Sequence, residues 1–275
     1  MNLQKLVVSS LVLLPLLIGC NTGENKNVDI PGFPPKTTTQ EQVAVEDTEP
    51  ISNFDFYPTS TTGVVIHRNT YAYSYNEDHE LSEWVAYELD SEDTKYHKYE
   101  RPFFEQDNKV ATKSAHWRNY KKSGYDKGHL LPAGDRRRSF DAYKETFYTS
   151  NVAPQRHDFN SGIINRLEEK TRYWAGKYAG LYVITGCVLE KGLPTIGDEQ
   201  VSVPNYFYKI LMTKDQKKMI AFLLPHQESN QPLYTFVTSV SKLESMTGID
   251  FFAALPDAKE QRMEQSKDYK DWSFN

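Results

Sequence analysis

Asp126-Lys127-Gly128-His129, followed by Ser150-Asn151-Val152-Ala153-Pro154-Gln155 and then by Asn160, Glu168 and Arg172, is the stretch on which the reading of this chain turns. It supplies a histidine beside a glycine, an amide, and then a helix that carries an amide, a carboxylate and a guanidinium along one side. Hydrolysis of a phosphodiester needs such parts, because water must lose a proton, phosphorane charge must be neutralised and a poor leaving oxygen must depart. His129, with an ordinary imidazole pKa of about 6.5, can accept a proton near neutrality. Gly128 permits a tight turn that exposes the ring. Asn160 offers a neutral carbonyl oxygen, a hard ligand suited to magnesium, which keeps several waters and needs few protein ligands. Glu168, about two turns along the helix, can hold a metal-bound water, and Arg172, a turn further on, can pair with Glu168 or grip phosphate bidentately. Singly, each has an ordinary structural explanation as a turn residue, a helix cap or a solvated ion pair. Their order and spacing together carry the inference.

Upstream of this block the chain opens with Lys5, an apolar run from Leu6 to Ile18 and then Leu17-Ile18-Gly19-Cys20. The run falls short of the roughly 20 residues that a membrane-spanning helix requires, so it reads as a signal peptide. Its ending resembles the lipobox of bacterial lipoproteins, which makes residues 1–19 the expected leader and Cys20 the expected lipidation site. Residues 20–52, rich in Pro, Thr, Asn and Glu with almost no aromatic residue, cannot bury enough surface to offset their ordering entropy and read as a disordered spacer. A location at the cell envelope follows, lipid-anchored on the periplasmic or extracellular face. The only other cysteine is Cys187. It lies in a β-branched run, so a buried thiol is expected and no intramolecular disulfide.

Residues 53–275 suit one domain with a sizeable core. Gly63–His67, Thr70–Ser74 and Trp84–Leu89 read as strands of an antiparallel meander, as do Leu181–Leu189, Tyr206–Thr213 and Met219–Pro225. Arg136–Tyr148 and Asn160–Tyr178 read as helices, the second started by Asp158 or Asn160 as a cap. The tail from Asp257 to Trp272 reads as a surface helix. The expected class is α+β, a mainly antiparallel central sheet flanked by helices, with no βαβαβ alternation.

Tyr125-Asp126-Lys127-Gly128-His129-Leu130-Leu131-Pro132-Ala133-Gly134-Asp135 resembles the signature of the DNA/RNA non-specific endonucleases, the ββα-metal nucleases of endonuclease G type, whose motif is Asp-Arg-Gly-His. The likeness continues through Phe147-Tyr148-Thr149-Ser150-Asn151-Val152-Ala153-Pro154-Gln155, Asn160 and Arg166-Leu167-Glu168. The resemblance implies His129 as general base and Asn160 as direct ligand of Mg2+, with Mn2+ as the alternative ion. It implies that Asn151 positions water and phosphate, that Glu168 holds the metal's water shell and that Arg172 stabilises transition-state charge. The implied substrates are DNA and RNA, and the implied products carry 5′-phosphates. Lys127 stands where the family has arginine; it keeps the charge and loses the planar fork.

A net charge of −5 does not by itself suggest a polyanion binder. The distribution does: Lys113, Arg118, Lys121, Lys122, Lys127, Arg136, Arg137, Arg138, Arg156, Arg166 and Arg172 crowd the motif segment, and Lys127, Arg136 and Arg172 are the expected phosphate contacts. Of the other histidines, none shows metal-ligand spacing, and His157 is notable only for lying near Asn160. The competing expectation is a catalytically inactive, nuclease-like surface lipoprotein that binds nucleic acid without cutting it.

Overall fold

The computed structural model describes residues 50–95 and 97–274. The expected leader, Cys20 and nearly all of the expected spacer lie outside the described residues. Among the described residues eleven strands run in chain order as β1 (Ile66–His67), β2 (Ala72–Asn76), β3 (Leu81–Leu89), β4 (Asp126–His129), β5 (Val152–Gln155), β6 (Leu181–Cys187), β7 (Thr195–Ile196), β8 (Val201–Ser202), β9 (Tyr206–Thr213), β10 (Met219–Pro225) and β11 (Val237–Thr238). The helices are α1 (Phe140–Glu145), α2 (His157–Phe159), α3 (Asn165–Lys177), α4 (Val240–Thr247) and α5 (Asp257–Gln265), and a π turn, Asn160–Ile164, joins α2 to α3 without a break. Among the described residues no helix is long and apolar enough to cross a membrane.

Seven strands form one sheet in the order β1-β2-β3-β6-β9-β10-β11, every pair antiparallel, which gives the expected α+β class. Side chains alternate faces along a strand, and here both faces are covered. Val85, Tyr87, Val183, Leu211 and Phe222 meet Leu167 and Trp174 of α3 on one side. Trp84, Ala86, Ile184, Tyr208 and Ile210 meet Leu243, Phe251, Phe252 and Met263 on the other. Double coverage is why β6, β9 and β10 read as nearly unbroken apolar runs rather than alternating ones. Helix α4 starts at Ser239, whose hydroxyl accepts the Lys242 N–H, and stops at Gly248 with φ of 72°, a left-handed cap that favours glycine.

Among the helices three expectations change, and the first three strands shift to Ile66–His67, Ala72–Asn76 and Leu81–Leu89. The first helix is shorter than Arg136–Tyr148, because a 3-10 turn at Ala133–Arg136 precedes the Ser139 cap of α1. The long helix begins at His157, three residues early, and neither Asp158 nor Asn160 caps it; Arg156 occupies that position without a side-chain bond. The tail is more than a surface helix: Trp272 is buried 5.0 Å from Trp174, whose Nε1 donates to the Ser273 carbonyl at 2.9 Å. Cys187 is buried as expected, and burial pushes its thiol pKa up.

On α5, Glu264 is buried with Oε1 unpartnered. Burial, with the charges of Glu244, Glu260 and Asp250, pushes its carboxyl up to about 8 from an ordinary 4.5. The fold therefore favours the protonated acid, a contribution fully present below pH 4.5 and lost as pH rises through 8. Glu264→Gln should raise the melting temperature at pH 8.5 and change it little at pH 4.5, measured by thermal unfolding; an equal effect at both pH values would refute the assignment.

Candidate active site

β4 and β5 form a separate antiparallel ribbon that sets Asp126 opposite Gln155 and His129 opposite Val152. Gly128 is thus in an extended strand rather than the expected tight turn. Its lack of a side chain serves close approach: the Gln155 carboxamide lies where a Cβ would be. The ribbon brings Asp126 to α2 and the π turn, where it meets His157 and Asn160.

The His129 ring sits between Phe104, 5.4 Å away, and Phe147, 5.1 Å away and nearly perpendicular. Burial, and then the charge of Arg101, lower its pKa to about 3, so the imidazole is neutral throughout the physiological range. Nε2 is buried without a partner while the ring as a whole is only half-buried, which leaves Nδ1 as the nitrogen open to the surface. Lys127 places Nζ 5.3 Å from the centre of Phe104 and 5.6 Å from that of Tyr120, and burial and Arg101 depress its pKa. Arg101 carried no signal in the sequence, being a lone arginine before Pro102.

Asn160 is the first residue of the π turn. Its Nδ2 donates to Asp126 Oδ2 at 3.1 Å, and His157 Nδ1 approaches the same oxygen at 2.9 Å. Burial alone would raise the Asp126 pKa, but the hydrogen bonds from Asn160 and His157 outweigh it and hold the carboxylate ionised. An ionised acceptor fixes which end of the Asn160 amide faces away, and among the described residues Oδ1 accepts no hydrogen bond. No group of three or more His, Cys, Asp or Glu side chains among the described residues could hold a metal. One neutral amide oxygen supplemented by water suits Mg2+, which binds few protein ligands and dehydrates reluctantly; it offers none of the soft donors that zinc favours.

Glu168 and Arg172 lie on α3 one turn apart, with Arg172 Nη1 4.0 Å from Glu168 Oε2. The nearer partner of that nitrogen is Asp135 Oδ1 at 2.9 Å, and Asp135 Oδ2 accepts from Tyr87 at 2.9 Å. Burial and the charge of Asp135 push Glu168 up to about 7, against the pull of Lys209 and Arg172. Lys209, 4 % exposed within β9, has its pKa lowered by burial and held up by Asp135 and Glu168. The sequence did carry a sign of Lys209, a single cation inside an apolar strand, which the reading of that strand passed over.

Two expected site residues are placed elsewhere. Arg136, expected at phosphate, is 3 % exposed; its guanidinium donates to the carbonyls of Asp135, Thr70 and Glu88 and lies 4.9 Å from the Tyr87 ring centre. Asn151, expected beside water and phosphate, is fully buried. Its Oδ1 accepts the Leu131 N–H, and its Nδ2 donates to the carbonyls of Leu131 and Thr146, each at 2.9 Å. Neither can touch substrate; both brace the loop after β4. The basic cluster also disperses, since Arg166 is held by the carbonyls of Ser229 and Gln231. Asn151→Ala would orphan three buried backbone groups at about 1–3 kcal/mol each. Urea denaturation should show a loss on the order of 3 kcal/mol; unchanged stability with lost activity would return Asn151 to a direct role.

Comparisons with known proteins give the family of the chain. Residues 52–258 match the family described as DNA/RNA non-specific endonuclease. Similar relatives include a nuclease of Nostoc sp., 30% identical over 90% of this chain and 92% of the relative, and human mitochondrial endonuclease G, 30% identical over 67% and 68%. Mitochondrial nuclease EXOG of Danio rerio is 32% identical over 66% of this chain. The chain spans little more than half the length of that relative, 59%, and 44% of the human EXOG. A crystal structure of the EndoG/EndoGI complex superposes with a TM-score of 0.66 at 30% identity, covering 71% of this chain and 88% of that one. The chain belongs to the DNA/RNA non-specific endonuclease family.

Proposed function

We propose that this protein is a magnesium-dependent endonuclease that hydrolyses the phosphodiester bonds of both DNA and RNA. The observation that carries the reading is the His129 ring, held neutral with Nδ1 open, beside the cations Arg101 and Lys127. A water proton passes to Nδ1 as the water oxygen bonds to phosphorus and the bond to the 3′ oxygen breaks; that oxygen leaves with the electron pair and takes a proton from a neighbouring solvent water, giving a 5′-phosphate and a 3′-hydroxyl. Lys127 binds phosphate as a point charge, and Arg172, still partly exposed beyond its Asp135 bond, faces the developing negative charge. Mg2+, or Mn2+ in its place, would be held by Asn160 Oδ1 and by water bonded to Glu168, and when bound it polarises the phosphoryl oxygens and stabilises the leaving oxygen. Contacts made to backbone phosphate carry no base information, which suits tolerance of either sugar.

Plasmid DNA and ribosomal RNA should both be cut with magnesium and spared with EDTA. His129→Ala should lower the rate by roughly 100- to 10,000-fold, and added salt should lower it steeply. A folded protein that binds both polymers and cuts neither would favour the inactive, nuclease-like binding lipoprotein instead.

The leader ending in Leu17-Ile18-Gly19-Cys20 supports a second part of the proposal, that Cys20 is lipidated and anchors the enzyme at the cell envelope on its periplasmic or extracellular face. Protease added to intact cells should degrade a surface-displayed protein. Protection in intact cells with digestion after permeabilisation would place it on the periplasmic face, and recovery of a Cys20→Ser variant in the membrane fraction would refute the anchor.

A further inference from the structure

Beside the His129 cleft lies a pocket of about 630 Å3 lined by Arg101, Pro102, Phe103, Phe104, Trp117 and Lys127. Phe103 is 90% exposed, and Trp117 is 37% exposed. Phe104, also in the lining, is the same ring that packs 5.4 Å from His129. The cations of the pocket already lie over its aromatic rings: Lys127 Nζ is 5.3 Å from the Phe104 centre and Arg101 Cζ is 5.8 Å from it. Outside the lining, Arg118 approaches Trp117 at 5.6 Å.

A single exposed aromatic needs no explanation, but Phe103 and Trp117 line one pocket with Phe104 and two cations, and that combination indicates what covers them. Flat rings lining a pocket with two cations fit a ligand with an aromatic face attached to an anion. A nucleotide is such a ligand. We infer that this pocket seats an unpaired nucleobase of the substrate strand, stacked on Phe103 and Trp117, while Arg101 and Lys127 hold the phosphate next to it. The inference rests on the nuclease reading of the same cleft and deepens it.

Two consequences follow from the lining. Bases inside a duplex already have both faces covered by their neighbours, so the seat serves single strands, loops and frayed ends. With Arg101 and Lys127 engaged at phosphate, the rest of the lining is Pro102, Phe103, Phe104 and Trp117, which offers a single indole N–H, and every base offers a π face, so the seat discriminates little between bases. The enzyme is thereby biased by strandedness rather than by sequence or sugar.

The test compares single-stranded and duplex oligonucleotides of one sequence with the full chain and its Phe103→Ala, Phe103→Leu and Phe103→Trp variants. Stacking on one ring changes single-strand affinity on the order of ten-fold. Phe103→Ala and Phe103→Leu should therefore both raise the KM for single strands about that much and lower the single-strand to duplex ratio of kcat/KM, while Phe103→Trp restores both. Binding of an oligothymidylate in EDTA should quench tryptophan fluorescence, and Trp117→Phe should abolish most of that quench. An unchanged ratio, or Leu performing as well as Phe, overturns the stacking seat. So does a Phe103→Ala variant that sediments as a smaller species than the parent, which would make this face a contact between copies of the chain. If the parent cuts neither substrate but binds single strands with quenching, the catalytic reading fails and the seat stands.

Discussion

The burial of one carboxylate, Asp135, organises everything around the cleft. A carboxylate removed from water is tolerated only when charges and hydrogen bonds replace the lost solvent. Arg172 from α3 and Tyr87 from β3 bond it directly, and Lys209 from β9 adds a second cation. Segments far apart in the chain are thus tied to one point, which fixes α3 against the sheet and fixes the loop that leaves β4. Glu168 shares the same surroundings, so two acids and two bases balance within the layer between helix and sheet. Removing either base would leave buried acid uncompensated, at a cost of roughly 3–5 kcal/mol.

A field of one sign does two jobs at His129. Burial, and then the charge of Arg101, make a protonated imidazole unfavourable, and Arg101 with Lys127 attracts anions to the same place. On the proposed chemistry, an arriving phosphate cancels much of that field. The ring therefore stays neutral while the site is free, and it becomes a better proton acceptor when a phosphodiester lies beside it.

Much of this was legible from residue order. The strands Tyr206–Thr213 and Met219–Pro225 have the bounds read from their apolar runs, and His129, Asn160, Glu168 and Arg172 are set out along the ribbon and the helix that follows it. What escaped depended on partners distant in sequence. Nothing local to Arg136 or Asn151 shows that each is consumed by carbonyls of other segments, and a polar residue inside a catalytic motif looks the same whether it faces substrate or braces a loop. Lys209 and Arg101 were missed for the converse reason, since each acquires meaning only from what folds against it. Gly128 was read as a turn because glycine most often signals backbone freedom, whereas here it is the facing Gln155 that needs the space.

The π turn at Asn160–Ile164 bears on the phase of the helix. In an uninterrupted α-helix eight residues overshoot two full turns by about 80°, so Asn160 and Glu168 would point to different sides. A π turn takes up about one additional residue, and eight positions then advance as about seven do, close to two turns. Glu168 and Arg172, four apart in regular helix, follow in the same sector. The bulge acts as a phase correction: it lets a helix whose working residues are spaced out of step present amide, carboxylate and guanidinium as one column.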